Sequence, residues 1–315
     1  MLNIVILDAD TLGNEISLSP LTSLGNTTIH GQTSPQELIN KCLGQQVIIT
    51  NKVVIDRKTM EELHDLKLIC VAATGTNNID LIAARDLGIE VKNVVDYSTY
   101  SVAQHNFAML LGLIHNINKH HQFVMQGDYS KSGIFTSLNW PYFELKGKTY
   151  GIIGMGNIGR LVGQIASSFG AKVVYSSLSG ALREEKFERV ELNVLYETCD
   201  IIGIHCPLNE YSKNLIGEHE FKMMKQQPIL VNMARGGIVD EQAMATALQN
   251  GQIKGACVDV YAVEPAKDDN PLLKLKGEFN FLLSPHVAWA SLEARKTLVE
   301  RIAENIKNWF SLTLD

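Results

Sequence analysis

Short runs of apolar and β-branched residues recur along the chain: IVIL at 4–7, VIIT at 47–50, LICVAA at 68–73, IEVKNV at 89–94, YGIIGMG at 150–156, KVVYSS at 172–177, IIGIHC at 201–206, ILVNMA at 229–234, ACVDVY at 256–261 and FNFLLSPH at 279–286. Between most of them lie helix-length segments with start and stop signals. SPQE at 34–37 offers Ser34 as N-cap, Pro35 at the first helical position and Glu37 as the return partner of a capping box. NIDLIAARDLG has Asp80 at its start and Gly88 where a left-handed C-terminal residue belongs, and VDEQAMATALQNG repeats this with Asp240 and Gly251. Continuous apolar strands alternating with helices predict an α/β fold, with parallel sheets covered on both faces.

Two helices carry a stronger pattern. SVAQHNFAMLLGLIHNINKHH at 101–121 places Ala103, Phe107, Leu110, Ile114 and Ile117 at alternating four- and three-residue spacing, widened by Leu111 and Leu113. At roughly 30 Å for 20 residues such a helix is long enough to link two domains. His105, His115, His120 and His121 on it read as packing and solvated positions rather than ligands. The Gly/Ser/Pro-broken stretch 126–149 reads as a long connection, and the C-terminal LEARKTLVERIAENIKNWF as an amphipathic helix with Leu298, Ile302, Ile306 and Trp309 on one face.

A length of 315 residues suits two cores better than one. With 45% hydrophobic and 20% charged residues the composition is that of an ordinary globular protein, and a net charge of −6 offers no basic field for nucleic acid or anionic membrane. An anionic substrate must then be drawn in by a local cation. The five cysteines, Cys42, Cys70, Cys199, Cys206 and Cys257, sit in apolar runs without a C-x-x-C pair, so buried thiols in a reducing cytosol are expected, with no disulfide framework and no metal site. The N-terminal MLNIVILDAD lacks a basic leader region, and no apolar stretch approaches a membrane span. A cytoplasmic protein is the expectation.

GIIGMGNIGR sets Gly154, Gly156 and Gly159 in G-x-G-x-x-G spacing, after an apolar strand and at the opening of the helix NIGRLVGQIASSFG. In that context Gly154 permits the tight turn and Gly156 lets the backbone approach a pyrophosphate. Gly159 lets the helix lie close to its strand, while the helix start, with Asn157 and Ile158, offers N–H groups to the anion. NAD or NADP is therefore the expected cofactor. The next strand should end in an acid that bonds the ribose 2′-OH of NAD, but Ser176 and Ser177 stand there, with Ser179 and Arg183 beyond. Hydroxyls and an arginine suit a 2′-phosphate; serines alone equally suit a bare ribose.

Three polar residues follow apolar strands further on: Arg235 in VNMARGG, Glu264 in DVYAVEP and His286 in LLSPHVAW. In an open parallel sheet, ligands bind at the carboxyl ends of strands, so all three can serve one crevice.

Taken with ATGTNNID at 73–80, STYSVAQH at 98–105, HCPLNE at 205–210, NMARGGIVDE at 232–241 and SPHVAWAS at 284–291, these motifs make the chain resemble the D-isomer-specific 2-hydroxyacid dehydrogenases over nearly its whole length. The WAS ending and the SVAQH helix look most like the glycerate dehydrogenase/hydroxypyruvate reductase branch. The resemblance implies two Rossmann-like domains with a cleft between them: a discontinuous, flavodoxin-like substrate domain of residues 1–100 plus 288–315, and an inserted coenzyme domain of residues 101–287. It implies a homodimer built through the coenzyme domain, and a small 2-keto/2-hydroxy acid as substrate, hydroxypyruvate/D-glycerate or glyoxylate. His286 would be the acid/base, Glu264 its partner, and Arg235 the fork that holds the substrate carboxylate and polarises the keto oxygen. Thr74, Gly75 and Thr76 would complete the carboxylate cradle. Asp259 would orient the nicotinamide carboxamide, with Cys206, Pro207, Met233 and Ala234 as further coenzyme contacts.

The chain departs from the family pattern at the missing ribose acid and at Met233, where many relatives have threonine. Trp289 either narrows the substrate end of the cleft or packs at a contact; the sequence leaves both open. A D-lactate or phosphoglycerate dehydrogenase on the same scaffold stays open too, as does a nucleotide-sensing corepressor. A formate dehydrogenase does not fit, because it carries glutamine where Glu264 stands.

Overall fold

The computed structural model describes residues 1–180, 184–275 and 280–312, and these form two compact units, Met1–Ser98 with Ala290–Asp315 and Thr99–Trp289. The first unit holds β1 (Leu2–Ile6), β2 (Gly25–Ile29), β3 (Val47–Thr50), β4 (Leu68–Val71) and β5 (Glu90–Lys92). They form one parallel sheet in the order β2-β1-β3-β4-β5, that of flavodoxin-like folds. β3 and β4 are buried at every position, as strands covered on both faces must be. The sequence pattern does not reveal β2: GNTTI is an edge strand, open to solvent at most positions.

The second unit holds β6 (Thr149–Ile153), β7 (Lys172–Ser176), β8 (Glu188–Arg189), β9 (Ile201–Ile204), β10 (Ile229–Asn232), β11 (Gly255–Val258) and β12 (Phe281–Leu283). Among the described residues they pair in parallel in the order β12-β11-β10-β9-β6-β7-β8. The chain order therefore reverses between β6 and β9, the switch point at which a Rossmann sheet opens its ligand crevice.

Asp80 and Asp240 cap their helices as expected, each accepting from a backbone N–H three residues on at 2.9 and 2.8 Å, and Gly88 and Gly251 both take positive φ. At SPQE, Glu37 does reach back to the Ser34 N–H at 3.1 Å, but Ser34 Oγ donates to that carboxylate instead of capping, and the helix proper starts only at Leu38.

The expected helix over 101–121 is two helices, Thr99–Ile114 and Ile117–Met125. Asn116 between them is left-handed (φ 50°), a conformation that asparagine tolerates and that breaks the apolar stripe before Ile117. Phe107, Leu110 and Ile114 bury against β6, β10 and β11 residues in one cluster, whereas Ile117 is 55% exposed. The C-terminal helix, Leu292–Leu312, buries Leu298, Ile302, Ile306 and Trp309 within the first unit. Each such side chain contributes about 1.5–3 kcal/mol. No described helix is long and apolar enough to cross a membrane.

Candidate active site

The glycine turn follows β6 as its sequence requires. Gly154 has φ 99°, and a Cβ there would lie 2.6 Å from the Cys206 nitrogen, so β6 and the strand-end at Cys206 can approach only because this residue is glycine. At Gly159 a Cβ would meet the Gly154 oxygen at 2.3 Å, which ties the helix Asn157–Ser168 to its own strand. Gly156 differs: a Cβ there would meet nothing within 4 Å. The space belongs to a pocket of about 720 Å³ at the carboxyl ends of β6, β7 and β9, lined by Gly154 to Gly156, by Tyr175 and Ser177 to Gly180, and by His205 to Pro207 with Asn209 and Tyr211.

The helix beginning at Asn157 leaves its first N–H groups without intrahelical acceptors, so the mouth carries partial positive charge. A dinucleotide with its pyrophosphate fits this turn. At the β7 side, Ser177 and Ser179 hydroxyls lie 3.3 Å apart, and among the described residues no aspartate or glutamate lines the pocket. Arg160 is held by Glu185 at 2.7 Å and Arg183 lies outside the described residues.

Of the expected coenzyme residues, Gly154, Gly156, Ser177, Cys206 and Pro207 line this pocket. Ser176 instead accepts the Gly154 N–H on its carbonyl and buries its side chain, and Met233 is packed into the core. Burial pushes the Cys206 thiol up to about 11, which leaves it an inert part of the wall. His205 lines the pocket too, but its Nε2 is buried without a hydrogen-bond partner among the described residues, and burial pushes its pKa down to about 4. Below about pH 6.5 the unfolded chain takes up a proton that folded His205 refuses, so stability is full above that pH and declines toward pH 4. Urea midpoints measured at about pH 7 and 5 should fall by an amount worth about 2 kcal/mol, and His205→Leu should flatten that decline.

A second group of side chains occupies the carboxyl ends of β10, β11 and β12. His286 follows β12 with φ 54°, an uncommon backbone for a histidine, and three contacts hold it there. Its N–H donates to the Asp259 carbonyl at 2.8 Å and its carbonyl accepts from Trp289 Nε1 at 2.9 Å. Its Nδ1 meets Glu264 Oε2 at 2.7 Å. Glu264 Oε1 in turn accepts from the Tyr261 N–H at 3.1 Å. The carboxylate thus fixes the ring, and Nε2 is left as the nitrogen that can hand over a proton.

Asp259 has a structural task here. Its carboxylate is fully buried and accepts from Ser284 Oγ at 2.6 Å and from the Val287 and Ala288 N–H groups at 2.9 Å each. It pins the loop that carries His286. His105, which the sequence pattern assigned to packing, joins this network through Ser284 Oγ at 3.0 Å. Trp289 likewise packs against the core cluster and clasps the same loop.

Arg235 follows β10, and its Nη1 donates to the Ala234 carbonyl at 2.7 Å. Among the described residues no carboxylate pairs with it. Gly236 beside it explains the glycine pair: a Cβ there would lie 1.9 Å from the Tyr261 carbonyl, so the Arg235 and Glu264 loops touch backbone to backbone. Tyr261 completes the link by donating from its hydroxyl to the Ser284 carbonyl at 3.2 Å.

Residues 107–288 match the NAD-binding domain of the D-isomer-specific 2-hydroxyacid dehydrogenases. The chain belongs to that family. It is 34% identical to a hydroxypyruvate reductase of Blautia hydrogenotrophica, covering 98% of this chain and 97% of the relative. It is 38% identical to a glycerate dehydrogenase of Methylorubrum extorquens, over 87% and 85%. The apo-structure of D-lactate dehydrogenase from Escherichia coli superposes with a TM-score of 0.82 at 26% identity, over 98% and 97%. As a D-2-hydroxyacid dehydrogenase the chain is an NAD(P)-dependent oxidoreductase acting on a CH–OH group.

Thr74, Gly75 and Thr76 lie in the first unit, in the loop after β4. Among the described residues their three N–H groups donate to no protein acceptor, the property an anion cradle needs.

Proposed function

We propose that the enzyme interconverts hydroxypyruvate and D-glycerate, or reduces glyoxylate, with His286 as acid/base. The observation that carries this reading is the Glu264–His286 pair at 2.7 Å, in the same unit as Arg235, whose guanidinium has no carboxylate partner among the described residues. A nicotinamide coenzyme held at the glycine turn and the β7 serines would supply the hydride for the carbonyl carbon of the keto acid. Negative charge then builds on the substrate oxygen, where His286 Nε2 delivers its proton and Arg235 stabilises the charge. Glu264 holds the resulting imidazole in one orientation. The substrate carboxylate goes to Arg235, whose planar fork matches it, and to the N–H groups of Thr74, Gly75 and Thr76.

The substrate assignment draws on relatives described as a hydroxypyruvate reductase and a glycerate dehydrogenase. The pocket wall without carboxylates supports acceptance of a 2′-phosphate, so both NADH and NADPH are expected to serve. Homodimerisation through the second unit is part of the same reading, and is supported by Phe135 and Leu138, which are 89% and 82% exposed. The cytoplasmic assignment rests on the five buried thiols, none of them in a disulfide.

The test follows oxidation of NADH and, separately, NADPH with hydroxypyruvate, glyoxylate, pyruvate and 2-ketobutyrate. Highest kcat/KM with hydroxypyruvate or glyoxylate is expected; a clear preference for pyruvate would move the enzyme to the lactate type. A protein that turned over none of them, yet bound partners in an NADH-dependent manner, would be a nucleotide sensor. Arg235→Lys is expected to lower kcat/KM by about 10²-fold or more, because a point charge cannot reproduce two parallel hydrogen bonds.

A further inference from the structure

Asp8 is a buried carboxylate that the mechanism leaves unused. It follows β1 and is only 7% exposed, at the point where the first sheet reverses between β1 and β3. All of its hydrogen-bond partners are neutral. Its carboxylate takes the Asn51 N–H at 2.9 Å, the Lys52 N–H at 2.7 Å and the Val53 N–H at 3.4 Å, with the Thr50 hydroxyl at 3.3 Å. The converging backbone donors satisfy a carboxylate that is removed from water. An asparagine of the same shape would turn an N–H toward those N–H groups.

The loop that Asp8 holds is strapped to the next one. The Ala72 N–H donates to the Thr50 carbonyl at 2.7 Å and Asn78 Nδ2 to the Val53 carbonyl at 2.9 Å. The Ile55 N–H donates to the Asn78 carbonyl at 2.9 Å and the Asp80 N–H to the Ile55 carbonyl at 3.1 Å. Thr74, Gly75 and Thr76 lie between these straps. Their other side is fixed by Thr74 Oγ1 on the Val94 carbonyl at 3.0 Å and by Asn93 Nδ2 on the Thr74 carbonyl at 2.6 Å.

We infer that Asp8 is a positioning residue for the substrate's carboxylate: through the loop 50–55 it sets the three unoccupied N–H groups of Thr74 to Thr76. This rests on the proposal that those groups receive the carboxylate. A role in folding alone would lower the concentration of active enzyme, and hence kcat, without changing KM.

The experiment compares full-length wild type and Asp8→Asn in hydroxypyruvate and glyoxylate reduction at saturating coenzyme, alongside coenzyme affinity by fluorescence. Asp8→Asn should raise KM for the keto acid about tenfold, with kcat and coenzyme Kd changed by less than about twofold. A wild-type KM in a folded Asp8→Asn protein overturns the inference. Should that variant not fold, Asn78→Ala removes one strap and Thr50→Val removes the hydroxyl bond to Asp8; both must raise KM in the same direction, and an unchanged KM in both overturns it equally. Wild type inactive on every keto acid would sink the functional reading, and this inference with it. An active wild type beside an Asp8→Asn enzyme of unaltered KM would sink this inference alone.

Discussion

Replacing His286 with alanine is expected to slow keto-acid reduction about 10²–10⁴-fold while coenzyme Kd stays within about twofold of wild type. The large effect follows from the geometry of the ring. Nδ1 is committed to Glu264 at 2.7 Å, so Nε2 is the nitrogen that can protonate the substrate oxygen. Coenzyme binding is expected to survive because the glycine turn, the β7 serines and Pro207 lie on β6, β7 and β9, whereas His286 follows β12. Single-turnover rates at saturating coenzyme, with Kd from fluorescence titration, separate the two quantities. Equal loss of both would mark His286 as structural. The alanine also relieves nothing in the loop, since the φ of 54° at position 286 is imposed by the contacts of Asp259 and Trp289 with the main chain.

Asp259→Ala is expected to cost about 3–5 kcal/mol of stability, comparable with breaking a buried charged network. The carboxylate satisfies two backbone N–H groups and one hydroxyl in a fully buried place, and alanine would leave the two N–H groups without acceptors, while Ser284 Oγ keeps Met109 Sδ and His105 as neighbours. Each orphaned donor costs about 1–3 kcal/mol. Catalysis should fall with it, because the same bonds shape the loop from Ser284 to Ala288 on which His286 stands. Asp259→Asn keeps one acceptor oxygen and should lose about half as much. Urea denaturation of the three proteins measures this. A midpoint for Asp259→Ala equal to that of wild type would show that the loop is held by something else.

Much of this arrangement is legible in the sequence, and the boundary of legibility is physical. β3, β4, β9, β10 and β11 announce themselves because both faces are buried, which demands unbroken apolar runs. β2 is silent because an edge strand needs only half its side chains inside, and GNTTI has the composition of a loop. The glycine turn is legible because its geometry excludes side chains at Gly154 and Gly159. Arg235, Glu264 and His286 stand out as polar residues directly after apolar strands.

What they are held by does not stand out. Asp259 lies 27 residues before His286 in the chain, and its partners are mostly main-chain N–H groups, which carry no sequence signature. Asp8 escapes notice for the same reason. His105 is hidden by the apolar stripe around it; only the SVAQH motif gives a hint that it is more than packing. The break at Asn116 is written in one residue able to adopt φ 50°, against a periodicity that continues past it.

The central claim is that Glu264 and His286 act as one proton-delivering unit. The direct measurement is the rate of keto-acid reduction in Glu264→Gln, His286→Ala and the double variant, under saturating coenzyme. If the pair acts as a unit, Glu264→Gln costs activity in the native background and the double variant is no slower than His286→Ala alone. Losses that multiply would show that Glu264 serves the reaction independently of the histidine, and would contradict the account.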